Sequence, residues 1–114
     1  MMEMNLISRE ELAEMLEQGD DFKLVMTMND WAFRTKRIPG SIMIDDPVIG
    51  AALLSPEDEI IVYCSGDLCA ASKFAYMMLK ENGYKNVRRY AGGVADWEQH
   101  GLPLEGEWAV QKSA

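Results

Sequence analysis

Ile60-Ile61-Val62-Tyr63-Cys64-Ser65-Gly66-Asp67-Leu68-Cys69-Ala70-Ala71 is the stretch on which the fold turns. Its first four residues are an unbroken β-branched and aromatic run, the pattern of a central strand buried on both faces. Ser65 to Ala70 reads as a loop. Ala71 to Glu81 reads as a helix, with Ala71, Phe74, Ala75 and Met78 on one face and Gly83 as its C-terminal stop. Cys64 is thus the first residue past a buried strand, and its loop runs into a helix N-terminus. There, unpaired backbone N–H groups and the positive end of the helix dipole favour an anion. Such a position lowers a thiol's pKa from its reference of about 8.5, and the thiolate is the nucleophilic form. A core role is the alternative, since cysteine is among the most buried residue types.

Working outward, strands and helices alternate. Ser8-Arg9-Glu10-Glu11 is a capping box in which Ser8 accepts from the Glu11 amide and Glu11 reaches back, with Ile7 and Leu12 as its hydrophobic staple. Leu12, Met15 and Leu16 form an apolar stripe, and Gly19 ends the helix. Phe22 to Met28 reads as a strand, and Asn29 to Arg37 as a mixed connection with a short helix around Trp31 and Phe33. The turn Ile38-Pro39-Gly40 leads to a short strand, Ser41 to Ile44. Asp45-Asp46-Pro47 then opens a helix running to Leu54. Val87 to Tyr90 is a further strand, Gly92-Gly93 a turn, and Val94 to Gln99 a short helix closed by Gly101. This order predicts right-handed βαβ crossovers and an α/β fold, a three-layer α/β/α sandwich with a mostly parallel central sheet. One domain fills residues 1–114, with a loosely held tail from about 106. In an open parallel sheet, ligands bind beyond the carboxyl ends of the strands. That edge gathers Met28-Asn29, Asp45-Asp46, the loop after Tyr63, and Ala91-Gly92-Gly93.

Composition narrows the function. Apolar residues make up 48% and charged residues 26%, as in ordinary globular domains. The N-terminus lacks the basic and apolar regions of a secretory signal, and no apolar run spans a bilayer, so the expected location is cytoplasmic. The net charge of −8, from 19 acidic against 11 basic residues, disfavours nucleic acid and membrane surfaces as partners. Arg34-Thr35-Lys36-Arg37 and Lys85 with Arg88-Arg89 read as solvated faces. Two cysteines and one histidine fall short of a zinc site, so no metal is expected. His100 reads as a surface residue at a helix end, and the nine methionines as core filler. No apolar surface stripe stands out, which leaves the oligomeric state open.

The strand Ile60-Ile61-Val62-Tyr63-Cys64, a helix ending at Asn82-Gly83-Tyr84, then Val87 and Tyr90-Ala91-Gly92-Gly93-Val94 with Trp97, and finally Gly101-Leu102-Pro103, together resemble a rhodanese domain. Arg37-Ile38-Pro39-Gly40-Ser41-Ile42 is similar to the family's His-Ile-Pro-Gly-Ala segment. The resemblance covers nearly the whole chain in the right order. It implies a sulfurtransferase without metal or organic cofactor. The cysteine at the position of Cys64 would take sulfane sulfur from a small donor such as thiosulfate or a persulfide, and pass it to cyanide, a thiol or a protein acceptor. The anion cradle would come from the loop Ser65, Gly66, Asp67, Leu68, Cys69 and Ala70.

Three departures qualify this. The family's strand-end aspartate and arginine fall at Met26 and Met28, a loss that packing is expected to offset. The loop carries Asp67 and no arginine or lysine, and like charge raises a thiol's pKa and repels thiosulfate. The helix starts later than in short-loop members, which makes room for Cys69. That spacing invites a resolving thiol or a reversible disulfide with Cys64, and a bridge needs Cα atoms within roughly 7 Å. The alternative for Cys69 is a small apolar filler. The competing readings of the whole are a catalytically weak binding or regulatory module, favoured by Asp67, and a redox-sensing Cys64/Cys69 pair. The longer loop also resembles that of rhodanese-related phosphatases and arsenate reductases, but Ala70-Ala71-Ser72 stands where that resemblance implies an oxyanion-binding arginine, which disfavours phosphatase chemistry.

Overall fold

Strand β3, Glu59–Tyr63, lies in the middle of the molecule, and its β-branched residues Ile60, Ile61 and Val62 are wholly buried. A computed structural model, describing residues 4–44, 47–66 and 69–108, gives the order α1 (Arg9–Gln18), β1 (Lys23–Met26), α2 (Asp30–Thr35), β2 (Ile42–Met43), α3 (Pro47–Leu53), β3, α4 (Ala71–Glu81), β4 (Asn86–Tyr90) and α5 (Gly93–Gln99). The sheet runs β2-β1-β3-β4 with every pairing parallel. Before α1, Leu6 bridges Arg89 in parallel, so the N-terminal segment edges β4. β1 and β2 are shorter than the apolar runs that announced them, although the Thr27 and Ile44 amides just beyond them still donate to the Tyr63 and Met26 carbonyls, both at 3.1 Å.

Alternation along each strand divides the core into two layers. Leu24, Met26, Ile61, Tyr63 and Tyr90 meet Leu12, Met15 and Trp97 from α1 and α5. Val25, Ile60, Val62 and Val87 meet Leu54 and Tyr76 on the side of α3 and α4. Helices therefore cover both faces, as the expected sandwich requires. Met26 sits inside the first layer at 1% exposure, and Met28 packs against it, so apolar contact replaces whatever polar tie the family makes there.

Ser8 caps α1 by accepting from the Glu11 amide at 3.1 Å, and Gly19 ends it at φ 70°. Glu11 does not reach back, because its carboxylate takes Arg88 at 2.7 Å instead. Of the tail expected to be loose, Glu107 and Trp108 donate their amides to Arg34 and Thr35, both at 2.9 Å. Those bonds fasten residues 106–108 to α2, and residues 109–114 lie outside the described ones. Among the described residues, no helix is long and apolar enough to cross a membrane.

Two expectations are corrected. The α4 face carrying Phe74 and Met78 does not enter the core: Phe74 is 65% exposed and Met78 42%. The buried residues of α4 are Ser72 and Tyr76, because Tyr76 is the side chain that reaches the sheet and accepts from the Asn5 amide. An apolar surface stripe does exist, therefore, and Met77 and Met78 on it are not core filler. In the second basic group Lys85 is exposed as expected, but Arg88 and Arg89 are not solvated. Strand alternation sends Arg88 and Arg89 to opposite sides of the sheet. Arg88 is half-buried between Glu11 and Glu59. Arg89 is 3% exposed, and its Nε donates to Ser72 Oγ at 2.8 Å.

Candidate functional site

The site is built where β3 ends. Tyr63 is locked by its hydroxyl, which donates to Ser41 Oγ at 2.8 Å and accepts from the Ile38 amide at 3.1 Å. Burial pushes its phenol pKa up, so the group stays a neutral strut. The Tyr63 carbonyl accepts from both the amide and the hydroxyl of Thr27, each at 3.1 Å, which pins the end of β1 to the end of β3. The chain then leaves the sheet at Cys64.

The turn after β4 supports the loop from beneath. The Cys64 and Ser65 carbonyls accept from the Val94 and Ala95 amides, at 3.0 and 2.8 Å, so the first turn of α5 is satisfied by the loop's own backbone. This close approach explains Gly93. Its φ is +63°, and a Cβ there would overlap the Cys64 carbonyl oxygen and come within 2.8 Å of the Gly66 nitrogen. At Gly92 a Cβ would strike the Asp96 side chain.

Asp96 has its own task. Arg9 Nη1 reaches both of its oxygens at 3.1 Å, and the Tyr90 hydroxyl donates to Asp96 as well. The Tyr90 hydrogen bond first, then Arg9, hold the Asp96 carboxyl below the usual range. Burial, followed by the Asp96 hydrogen bond, pushes the Tyr90 phenol well above its ordinary value. α1, β4 and α5 are thereby tied together at the edge of the loop.

Cys64 is 1% exposed and lies under its own loop. It is joined by a disulfide to half-buried Cys69, across Cα atoms 6.2 Å apart. Its sulfur thus faces the loop rather than a sealed apolar layer. Of the loop residues singled out as a cradle, Ser65 and Ala70 are exposed and Gly66 is half-buried, while Asp67 and Leu68 lie outside the described residues, as do Asp45 and Asp46. The Cys69 amide is spent on the Gly66 carbonyl at 3.1 Å. Among the described residues, the amides of Ser65, Gly66 and Ala70 have no backbone acceptor. α4 begins from Ala70 without a side-chain cap, unlike α1 and α2, which are capped by Ser8 and Asn29. His100 is exposed and bonds back to the Asp96 carbonyl, away from the cysteines in contact terms.

Three contributors had not been singled out: Thr27, Ser72 and Arg89. Arg89 places a buried cation against the first turn of α4, although the loop itself carries none. The legible signal was the Arg88-Arg89 pair inside a strand, where one of two neighbours must point into a helix layer.

An all-parallel α/β sandwich with a disulfide-bonded cysteine just past its central strand, in a loop leading to a helix without a side-chain cap, defines an α/β domain with a cysteine loop at the carboxyl edge of its sheet. More narrowly, the chain belongs to the rhodanese-like domain family, whose sequence profile matches residues 8–100. It is 28% identical over 102 residues to a sulfurtransferase of Allochromatium vinosum, covering 88% of this chain and 94% of that one. An HTH-type transcriptional regulator of Mycobacterium tuberculosis is 29% identical over 101 residues, or 87% of this chain but 44% of the regulator. The fold matches that of the rhodanese-like domain from the Alr3790 protein of Anabaena sp., with a TM-score of 0.82 at 24% identity, covering 99% of this chain and 87% of that one.

Proposed function

We propose that this protein is a sulfurtransferase that carries sulfane sulfur as a persulfide on Cys64. The observation carrying this reading is the Cys64–Cys69 link, which holds the Cys64 sulfur in a loop where, among the described residues, the Ser65, Gly66 and Ala70 amides lack backbone acceptors. Reduction by a thiol frees both cysteines. The Cys64 thiolate then attacks the outer sulfur of thiosulfate; the new S–S bond forms as the old one breaks, and sulfite leaves with the bonding pair. The terminal sulfur of the persulfide carries the negative charge, and the amides of Ser65, Gly66 and Ala70 are the donors assigned to it. An acceptor thiolate takes that outer sulfur and restores the Cys64 thiolate. Cys69 offers a second exit. Its thiol attacks the Cys64 sulfur, hydrosulfide leaves, and the disulfide remains until a thiol reductant reopens it.

A second reading is a redox-sensing pair, favoured by the same disulfide. Intact mass after incubating reduced protein with thiosulfate separates the two. Sulfur transfer predicts the gain of one sulfur atom, absent in Cys64→Ser, and an adduct that persists longer in Cys69→Ser. No adduct with any donor, together with a reversible two-hydrogen loss under mild peroxide, would replace transfer by sensing.

A further inference from the structure

A cavity of about 540 Å³ lies between α3 and α4 on the Val62 side of the sheet. Thr27, Val62 and Ala71 bound it at the end nearest the cysteine loop, while Leu54, Phe74 and Met78 wall its length. Two features define what it accepts. Among the described residues no charged side chain lines it. Each polar side chain on its wall already donates a hydrogen bond within the fold: Thr27 to the Tyr63 carbonyl, Asn82 to the Met78 carbonyl at 2.6 Å, and Tyr84 to the Leu54 carbonyl at 3.3 Å. The volume is that of a small-molecule site, and concave apolar sites with few free polar groups select apolar ligands. Phe74 and Met78 stand in water although they face a void, an arrangement that gains when something apolar fills it.

We infer that this cavity binds an uncharged aryl or alkyl group, and that it seats the tail of an organic sulfur donor whose reacting end lies at Cys64. The second half rests on the sulfurtransferase reading. The cavity ends at residues that flank the cysteine loop: Val62 precedes Cys64 by two positions, Thr27 binds the carbonyl of the residue before Cys64, and Ala71 opens the helix after the loop. Charge points the same way. A chain of net charge −8 repels doubly charged thiosulfate more than a singly charged organic thiosulfonate. The step balances: the Cys64 thiolate bonds to the outer sulfur of the thiosulfonate, the sulfonyl–sulfur bond breaks, and the organic sulfinate leaves with the pair.

The test uses the reduced full chain with methanethiosulfonate and benzenethiosulfonate, which share a reacting group and differ in tail. Burying the ring predicts kcat/KM about tenfold or more higher for the benzene compound. Ala51→Phe, at an exposed position on the cavity wall, fills the cavity and removes the preference between the two donors. Binding of N-phenylnaphthylamine, a neutral probe that fluoresces in apolar surroundings, is read separately, with Ala75→Phe as a second filled variant. Equal kcat/KM for both donors and no probe binding would overturn the inference while sulfur transfer stands. Probe binding lost in both filled variants, with no sulfur adduct from any donor, would uphold the apolar site and overturn its link to Cys64.

Discussion

The two faces of the sheet are made by the same strands and end differently. On the α1/α5 side the packing is closed: Leu12 is fully buried, Trp97 is 1% exposed, and the Trp97 indole N–H donates to the Pro103 carbonyl at 2.8 Å. On the α3/α4 side the strand residues are equally buried, yet Leu53, Phe74, Met77 and Met78 remain exposed, and Phe74 and Met78 wall a cavity. Strand alternation supplies both faces with buried apolar side chains, so the openness of one face comes from its helices. One face holds the domain together, and the other leaves room beside the loop that bears the cysteines.

The sharpest way to break this comparison is Trp97→Ala. Removing a buried Trp costs about 3–5 kcal/mol, since transfer and cavity terms add. Denaturant unfolding should show that loss, and a cost below about 1 kcal/mol would mean the α1/α5 face is not the stabilising one. Next in size is Gly93→Ala. A Cβ at a positive φ, pressed on the Cys64 carbonyl, forces the α5 turn away from the loop, at about 1–3 kcal/mol for the backbone alone. The same variant should also change the rate at which thiols open the Cys64–Cys69 disulfide. An unaltered rate with lowered stability would separate the loop from its support.

The Arg9–Asp96–Tyr90 cluster sharpens the comparison through pH. Asp96 has a lowered pKa in the fold, so its contribution is complete above the ordinary carboxylate value of about 4 and is lost as pH falls through the lower folded value. Tyr90 has a raised pKa, so its contribution holds below about 10 and is lost as pH rises beyond. Asp96→Asn should lower the melting temperature by a few degrees at neutral pH, and the gap to wild type should close in acid. A gap that stays constant from neutral pH to pH 3 would mean that shape, not charge, is what Asp96 supplies.

How much of this could be read beforehand follows the range of each interaction. The capped start of α1 at Ser8, the buried run Ile60 to Tyr63 and the helix from Ala71 to Glu81 are local patterns, and the structure keeps them. Cys64 stood out because strand, loop and helix are contiguous in sequence. The spacing of Cys64 and Cys69 invited a disulfide but could not decide it against an apolar filler, because a separation of five sets no distance until the loop is folded. Arg89 was misread since charge alone suggests solvent, whereas the strand's alternation and the hydroxyl of Ser72 decide its side. Phe74, grouped by spacing with Ala71, Ala75 and Met78, stays exposed because the sheet is covered by Tyr76, two residues along and on the other side of the helix. Gly93 was visible as a turn residue, while its contact with the Cys64 carbonyl needed the β4–α5 corner in place.

The smallest expected effect on stability is the most informative about the open face. Phe74 is 65% exposed, so Phe74→Ser removes little burial, and its cost should lie within about 0.5 kcal/mol. Side chains that fold a protein and side chains that bind for it are then separable in one variant. Urea unfolding should superimpose on wild type, while affinity for N-phenylnaphthylamine falls, because Phe74 walls the cavity without supporting the sheet. A loss above about 1.5 kcal/mol would place Phe74 among the residues that hold the domain together, and the two faces would then differ in degree rather than in kind.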